Sequence, residues 1–256
     1  MEMASNRILP LLTGYSRYDK TLSTRGRGEG TVITAPILAY LVEGPNGRVL
    51  YDVGCDFSKV EQPAERQRYY GDFPFGAPEM SAEQRTVVWL ERLGLAPADL
   101  DMVVCGHLHF DHAGGLCDFP GCDVCVHERE LAAARNGADE AYFDGEAQVP
   151  VNWRCVTGDR ELMPGVRLLE TPGHTAGHYS LWIEREQGRP IVLAGDAADL
   201  QENLDDEVAP GLCFDEQQAL GSIGRLNDLA ATEDAWLWPN HDLAFFNGLK
   251  AFPQRY

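Results

Sequence analysis

Short apolar runs rich in β-branched and aliphatic residues recur along the chain. They predict strands at Ile37–Val42, Arg48–Val53, Asp101–Cys105, Cys122–His127, Val166–Glu170, Ser180–Glu184, Ile191–Ala194 and Ala235–Trp238. Turn-forming residues punctuate them. EGPNGR between the first two runs reads as a hairpin loop, and EQGRP at 186–190 separates two later ones, so an antiparallel-rich sheet system is expected. Helical spacing is rarer but well capped: Ser81 with Gln84 forms a capping box ahead of Val87, Leu90 and Leu93, and Gly94 supplies the stop. Asp215 with Gln218 opens a second helix carrying Ala219, Ile223, Leu226 and Ala230, and a shorter one over Glu128–Arg135 ends at Asn136-Gly137. Blocks of strands and helices without strict alternation predict an α+β class, a layered sandwich with helices outside, formed by residues 1–256 as a single domain. Residues 56–80 follow neither period. They are expected to form a long loop, either with its aromatics tucked onto the body or as an active-site wall in which Tyr69, Tyr70 and Phe73 face a substrate.

Composition narrows the function. Hydrophobic residues make up 44% of the 256, enough to fill a core. The 40 acidic and 21 basic residues leave a net charge of -19, which repels phosphodiester backbones and anionic lipid, so neither nucleic acid nor a membrane is an expected partner. The apolar block Ile8–Leu12 is too short for a signal-peptide core or a bilayer span, and the seven cysteines follow no disulfide-framework spacing. A cytoplasmic protein, monomer or homodimer, is expected. Cys122 and Cys125 form a lone C-x-x-C; a zinc ribbon needs a second pair about 15 to 20 residues on, and only Cys155 lies in that direction.

The chemistry concentrates in CGHLHFDHAGG at 105–115, directly after an apolar run. His107, His109 and Asp111 alternate as on an extended chain, and His112 follows where Gly114-Gly115 lets the backbone bend. Imidazoles and a carboxylate crowded together cannot all satisfy one another, and a cation resolves the conflict. His174 in LLETPGHTAGH, Asp196 in IVLAGDAAD and His241 in AWLWPNHD also end apolar runs, where a fold gathers loop residues into one cleft. His127 takes no ligand role in this reading, and His178 is a candidate to support a ligand from behind.

HLHFDH, TPGHTAGH, GD after an apolar strand and the late NHD resemble the signature of the metallo-β-lactamase superfamily. Within it, APILAYLVEG with GRVLYDVG and the ending HDLAFFNGLKAFPQRY are similar to N-acyl homoserine lactone lactonases and related small-lactone hydrolases. The resemblance implies a four-layer αββα sandwich with a dinuclear metal site at the edge of the sheets. It places His107, His109 and His174 on one metal and Asp111, His112 and His241 on the other, bridged by Asp196. An all nitrogen and oxygen donor set suits Zn2+ and admits Fe, Mn, Co or Ni. The implied reaction is the opening of a lactone ring by a metal-bridging hydroxide, with Asp111 relaying the proton and Asp52 in LYDVG orienting a ligand imidazole. As a turn carboxylate, Asp52 could equally cap backbone amides.

One position departs from the pattern. Many of the resembled lactonases carry tyrosine three residues after the bridging aspartate, where this chain has Asp199, and an ionised carboxylate cannot donate the same hydrogen bond. Either Tyr69, Tyr70 or Tyr179 supplies the donor, or the substrate differs. The alternatives are a glyoxalase II-like thioesterase, for which no basic cluster is evident near the C-terminus, and, from another class, an iron-dependent sulfur dioxygenase.

Overall fold

Two-residue alternation along the strands builds two sheets that share one apolar interior. A computed structural model describes residues 6–185 and 188–256, so the first two residues of the expected turn at 186–190 lie outside the described residues. The first sheet runs in the order β1 (Arg7–Asp19), β2 (Val32–Gly44), β3 (Gly47–Tyr51), β4 (Met102–Val104), β5 (Asp123–His127) and β6 (Asn152–Val156). The second is ordered β11 (Trp236–Trp238), β10 (Ile191–Leu193), β9 (Tyr179–Ile183), β8 (Val166–Glu170) and β7 (Arg160–Met163). On β2, Leu38, Tyr40 and Val42 meet Leu181 and Ile183 of β9 between the sheets. The intervening Ala39 and Leu41 turn to the opposite face, where Leu90 of α3 (Thr86–Arg92) and Leu131 of α5 (Glu128–Asn136) cover them. Trp182 of β9 likewise faces outward against Leu226 of α7 (Glu216–Thr232). Helix, sheet, sheet and helix therefore stack as four layers, the α+β sandwich that the patterning and the resemblance imply.

Pairing is less antiparallel than expected. β3–β4, β4–β5 and β5–β6 are parallel, as is β10–β11. Helical crossovers such as α3 and α5 make this possible, because parallel neighbours cannot be joined by a tight hairpin. Residues 56–80 also differ from an aperiodic loop: they open with α1 (Phe57–Glu61) and α2 (Pro63–Tyr70). Asp56 caps α1 by accepting from Ser58 N at 2.9 Å, and Pro63 pre-sets the first turn of α2. The Ser81–Gln84 box closes only a 3-10 turn over Ala82–Gln84 before α3 begins. Among the described residues, no helix is long and apolar enough to cross a membrane.

Candidate metal centre

The site is assembled at the C-terminal ends of β4, β8, β10 and β11. After β4 the chain stays extended through His109, which precedes a single turn of helix, α4 (Phe110–Ala113). Asp111 and His112 thus sit on a helical turn, not on a continued extended run. Helix geometry replaces the expected bend at Gly114, whose φ of -57° is ordinary. Gly114 and Gly115 are needed for another reason: a Cβ would lie 2.4 Å from Asp56 N at Gly114 and 2.2 Å from Val53 O at Gly115.

Two sets of donor atoms converge. His174 Nε2 lies 3.3 Å from His107 Nε2 and 3.1 Å from His109 Nδ1. Asp111 Oδ2 lies 3.7 Å from His112 Nε2 and 3.8 Å from His241 Nε2. Asp196 stands between the sets, with Oδ2 3.5 Å from His174 Nε2 and Oδ1 3.3 Å from His112 Nε2. The seven positions singled out in the sequence therefore fall into adjoining groups linked through Asp196.

The hydrogen bonds behind the site show which ring nitrogens are free for a cation. His109 Nε2 faces Asp139 Oδ2 at 3.3 Å, and His112 Nδ1 faces Asp52 Oδ2 at 2.8 Å. His174 Nδ1 donates to Leu212 O and His241 Nδ1 to Pro36 O, each at 2.8 Å. In its neutral form each of these rings holds its proton on the outer nitrogen and turns a lone pair inward. His112 Nε2 is buried with no hydrogen-bond partner among the described residues, and His241 Nε2 faces both Asp196 oxygens at 3.2 and 3.3 Å. Lone pairs turned toward carboxylate oxygens repel unless a proton or a metal ion lies between them. Burial lowers the His241 pKa, but the Asp196, Asp199 and Asp111 carboxylates outweigh it and lift the group to about 10; burial instead takes His174 down to about 4. Once a metal ion displaces the proton that these carboxylates hold on the ring, imidazoles facing paired carboxylates are the donor set that divalent metals bind.

Asp52 has contacts that serve both readings of it. While Oδ2 holds His112, Oδ1 accepts from Gly106 N at 2.8 Å, and the residue is fully buried at a left-handed φ of 59°. His178 supports Asp196 through the main chain, its Nε2 accepting from Asp196 N at 3.0 Å while Nδ1 faces Thr171 Oγ1. Sequence reasoning missed Asp139, Asn240 and Glu130. Asn240 Nδ2 donates to Asp196 Oδ1 at 2.9 Å. Buried Glu130 accepts from Leu108 N and Gly177 N, tying the loops after β4 and β8 together. In the sequence nothing separates it from Glu128, which lies exposed in the same first turn of α5.

Above the donors lies a cavity of about 520 Å3 whose lining includes Tyr18, Tyr69, Phe73, Phe110, Asp199 and Leu212. Tyr70 is not part of that lining: its ring packs edge-on against Phe73 and Phe110 from behind the wall. Tyr179 is also directed elsewhere, donating to Gly158 O at 3.0 Å, and Tyr69 donates to Asp144 O. Tyr18, on the unanticipated β1, is the phenol that the cavity wall adds, with its hydroxyl 3.0 Å from Ser23 Oγ. Burial, with Asp196 next to it, pushes the Asp199 carboxyl up to about 8. Cys122 and Cys125 are free thiols and belong to none of the donor groups found among the described residues.

A family model described as the metallo-beta-lactamase superfamily matches residues 33–241. An N-acyl homoserine lactonase of a Bacillus species is 38% identical over 227 residues, 88% of each chain. A solved N-acyl homoserine lactone hydrolase with N-hexanoyl-L-homoserine at its catalytic metal centre superposes with a TM-score of 0.90 at 34% identity, over 99% of this chain and 100% of the other. A variant of AiiA from Bacillus thuringiensis with N-decanoyl-L-homoserine at its active site gives the same TM-score, identity and coverage.

Proposed function

The chain belongs to the metallo-β-lactamase superfamily, and from that membership we infer that it is a metal-dependent lactonase opening the ring of N-acyl homoserine lactones or related lactones. The observation that carries this reading is the convergence of two donor sets on Asp196 at the floor of a cavity with an apolar wall, in a chain whose similar structures bind ring-opened acyl homoserines there. No observation favours the thioesterase or dioxygenase alternative.

The site is dinuclear for divalent metal, and we assign zinc. His107, His109 and His174 would hold one ion and Asp111, His112 and His241 the other, with Asp196 offering an oxygen to each. When bound, the ions supply Lewis acidity toward the lactone carbonyl and hydroxide at neutral pH. The chain's own residues do the rest. Asp52, Asp139 and the carbonyls of Pro36 and Leu212 fix four of the five imidazoles, those of His112, His109, His241 and His174, in the ligating tautomer. Tyr69, Phe73 and Phe110 provide apolar surface for an acyl chain and keep water from that side of the ring. Asp111, at the cavity floor, is placed to take the proton released as the ring ester is attacked and to return it to the departing alkoxide. Such a reaction would silence acyl homoserine lactone signals. Seven free cysteines support a cytoplasmic location.

The test is a pH-drop assay over short and long acyl homoserine lactones, simple lactones and thioesters, run with elemental analysis and an Asp196→Ala control. Two equivalents of metal and lactone opening lost in the control are expected. One equivalent of iron, or hydrolysis confined to thioesters, would overturn the reading.

A further inference from the structure

Asp199 is 5% exposed, lines the cavity, and its Oδ1 is buried with no hydrogen-bond partner among the described residues. A buried carboxyl oxygen without a partner is costly whether the group is ionised or protonated, and a bound ion is a compensation within reach. Ligand atoms of Asp196, Asp199 and His241 lie within 4.8 Å of one another. The main chain fixes that proximity: His241 N donates to Asp199 O at 2.8 Å, and Asn240 N to Ala198 O at 3.1 Å. The carboxylate is also braced from behind. Ser23, fully buried, sets its hydroxyl against Asp199 and is itself 3.0 Å from the Tyr18 hydroxyl, while Asn203 Nδ2 holds Ser23 O at 2.8 Å. Hydrogen-bonded support behind a carboxylate whose free oxygen faces other donors is how metal-ligating carboxylates are held.

We propose that Asp199 is an additional ligand to the ion shared by Asp111, His112 and His241, giving that position a third carboxylate. The inference rests on the dinuclear reading of the site. It makes the two positions unequal. One has three imidazoles and an Asp196 oxygen; the other has two imidazoles and carboxylates from Asp111, Asp196 and Asp199. An oxygen-rich set with higher coordination number suits a harder ion, so the second position accepts Mn2+ more readily than the first. The third carboxylate also lowers the net positive charge of the loaded centre by one.

The experiment is a chelator competition titration of the whole protein with Zn2+ and separately with Mn2+, read as metal bound per chain, for the unmodified protein and Asp199→Asn. The amide keeps the size but loses the anionic ligand. The expected result is an unchanged first equivalent and a second equivalent weakened about 10- to 100-fold, more for Mn2+ than for Zn2+. Two equivalents bound equally tightly by the variant would overturn the proposal and leave the lactonase reading intact. Fewer than two equivalents in the unmodified protein with either ion would remove the dinuclear reading and the proposal with it. Should circular dichroism show Asp199→Asn unfolded, a crystal structure of the zinc-loaded unmodified protein decides. An Asp199 oxygen about 2.0–2.2 Å from a metal supports the assignment, and one beyond about 3 Å overturns it.

Discussion

Asp52→Asn isolates how much of the metal affinity depends on one proton. In the native site Asp52 Oδ2 accepts from His112 Nδ1 at 2.8 Å and Oδ1 accepts from Gly106 N at 2.8 Å, with the side chain fully buried. Asparagine keeps an acceptor for Gly106 but turns an amide N–H toward a ring N–H. The imidazole escapes that clash by moving its proton to Nε2, the atom 3.3 Å from Asp196 Oδ1, and a protonated nitrogen cannot ligate. Backbone strain does not confuse the comparison, because asparagine tolerates the left-handed φ of 59° that this position requires. A hydrogen bond to a charged partner contributes about 1.5–3 kcal/mol net. Loss of a supporting carboxylate typically lowers metal affinity about 10- to 100-fold, or about 1.4–2.7 kcal/mol, so the two routes agree. The assay is isothermal titration of metal-free protein with Zn2+, alongside thermal melts of the metal-free forms. The variant should lose affinity in one of two binding events, and its kcat/KM should recover as zinc is raised. Two binding events indistinguishable from those of the unmodified protein would refute the tautomer argument and His112 as a ligand.

Three further outcomes follow from burial and packing. Burial holds the Glu146 carboxyl at about 8 even with Lys59 Nζ 2.6 Å away, so the folded state retains this proton more tightly than the unfolded chain. Stability from that group is complete below the ordinary glutamate range and is lost as pH rises through about 8; Glu146→Gln should flatten this limb in denaturant melts taken from pH 5 to about 9. Phe73→Ala removes a ring 5.5 Å from Tyr70 and 5.6 Å from Phe110, and steady-state kinetics should show KM rising about tenfold for long acyl chains and under about threefold for short ones. Leu226→Ala, at a fully buried contact between α7 and the second sheet, should cost about 2–5 kcal/mol in urea unfolding without changing the metal stoichiometry.

The candidate ligand set was legible because few side chains bind metal and their crowding after an apolar run is hard to explain otherwise. The positions of His174, Asp196 and His241 could be read for the same reason, each closing a strand. What stands behind them was hidden for physical reasons. Pro36 and Leu212 act through main-chain carbonyls, which carry no residue identity. Asp139 sits in a polar stretch like any surface loop, and its use becomes visible only when His109 turns toward it. Tyr18 was missed with β1, whose early residues Ile8, Leu9 and Leu11 are buried, whereas its later part mixes Ser16, Arg17 and Asp19 and breaks the alternation. The segment at 57–70 folded into helices because caps and a well-placed proline outweighed the missing apolar stripe.

The donors divide by sheet. His107, His109, Asp111 and His112 follow a strand of the first sheet, and His174, Asp196 and His241 follow strands of the second. Each proposed ion therefore draws ligands from both halves of the sandwich and works as a rivet through two plates. A chain still folding cannot present the complete set until its sheets have docked, so tight metal uptake comes late and reports a finished interior. Conversely, at a free metal concentration 1,000 times the dissociation constant, one bound ion opposes separation of the plates by about 4 kcal/mol. Metal supply then governs the stability of the fold as well as its chemistry, and scarcity would leave the sandwich easier to open.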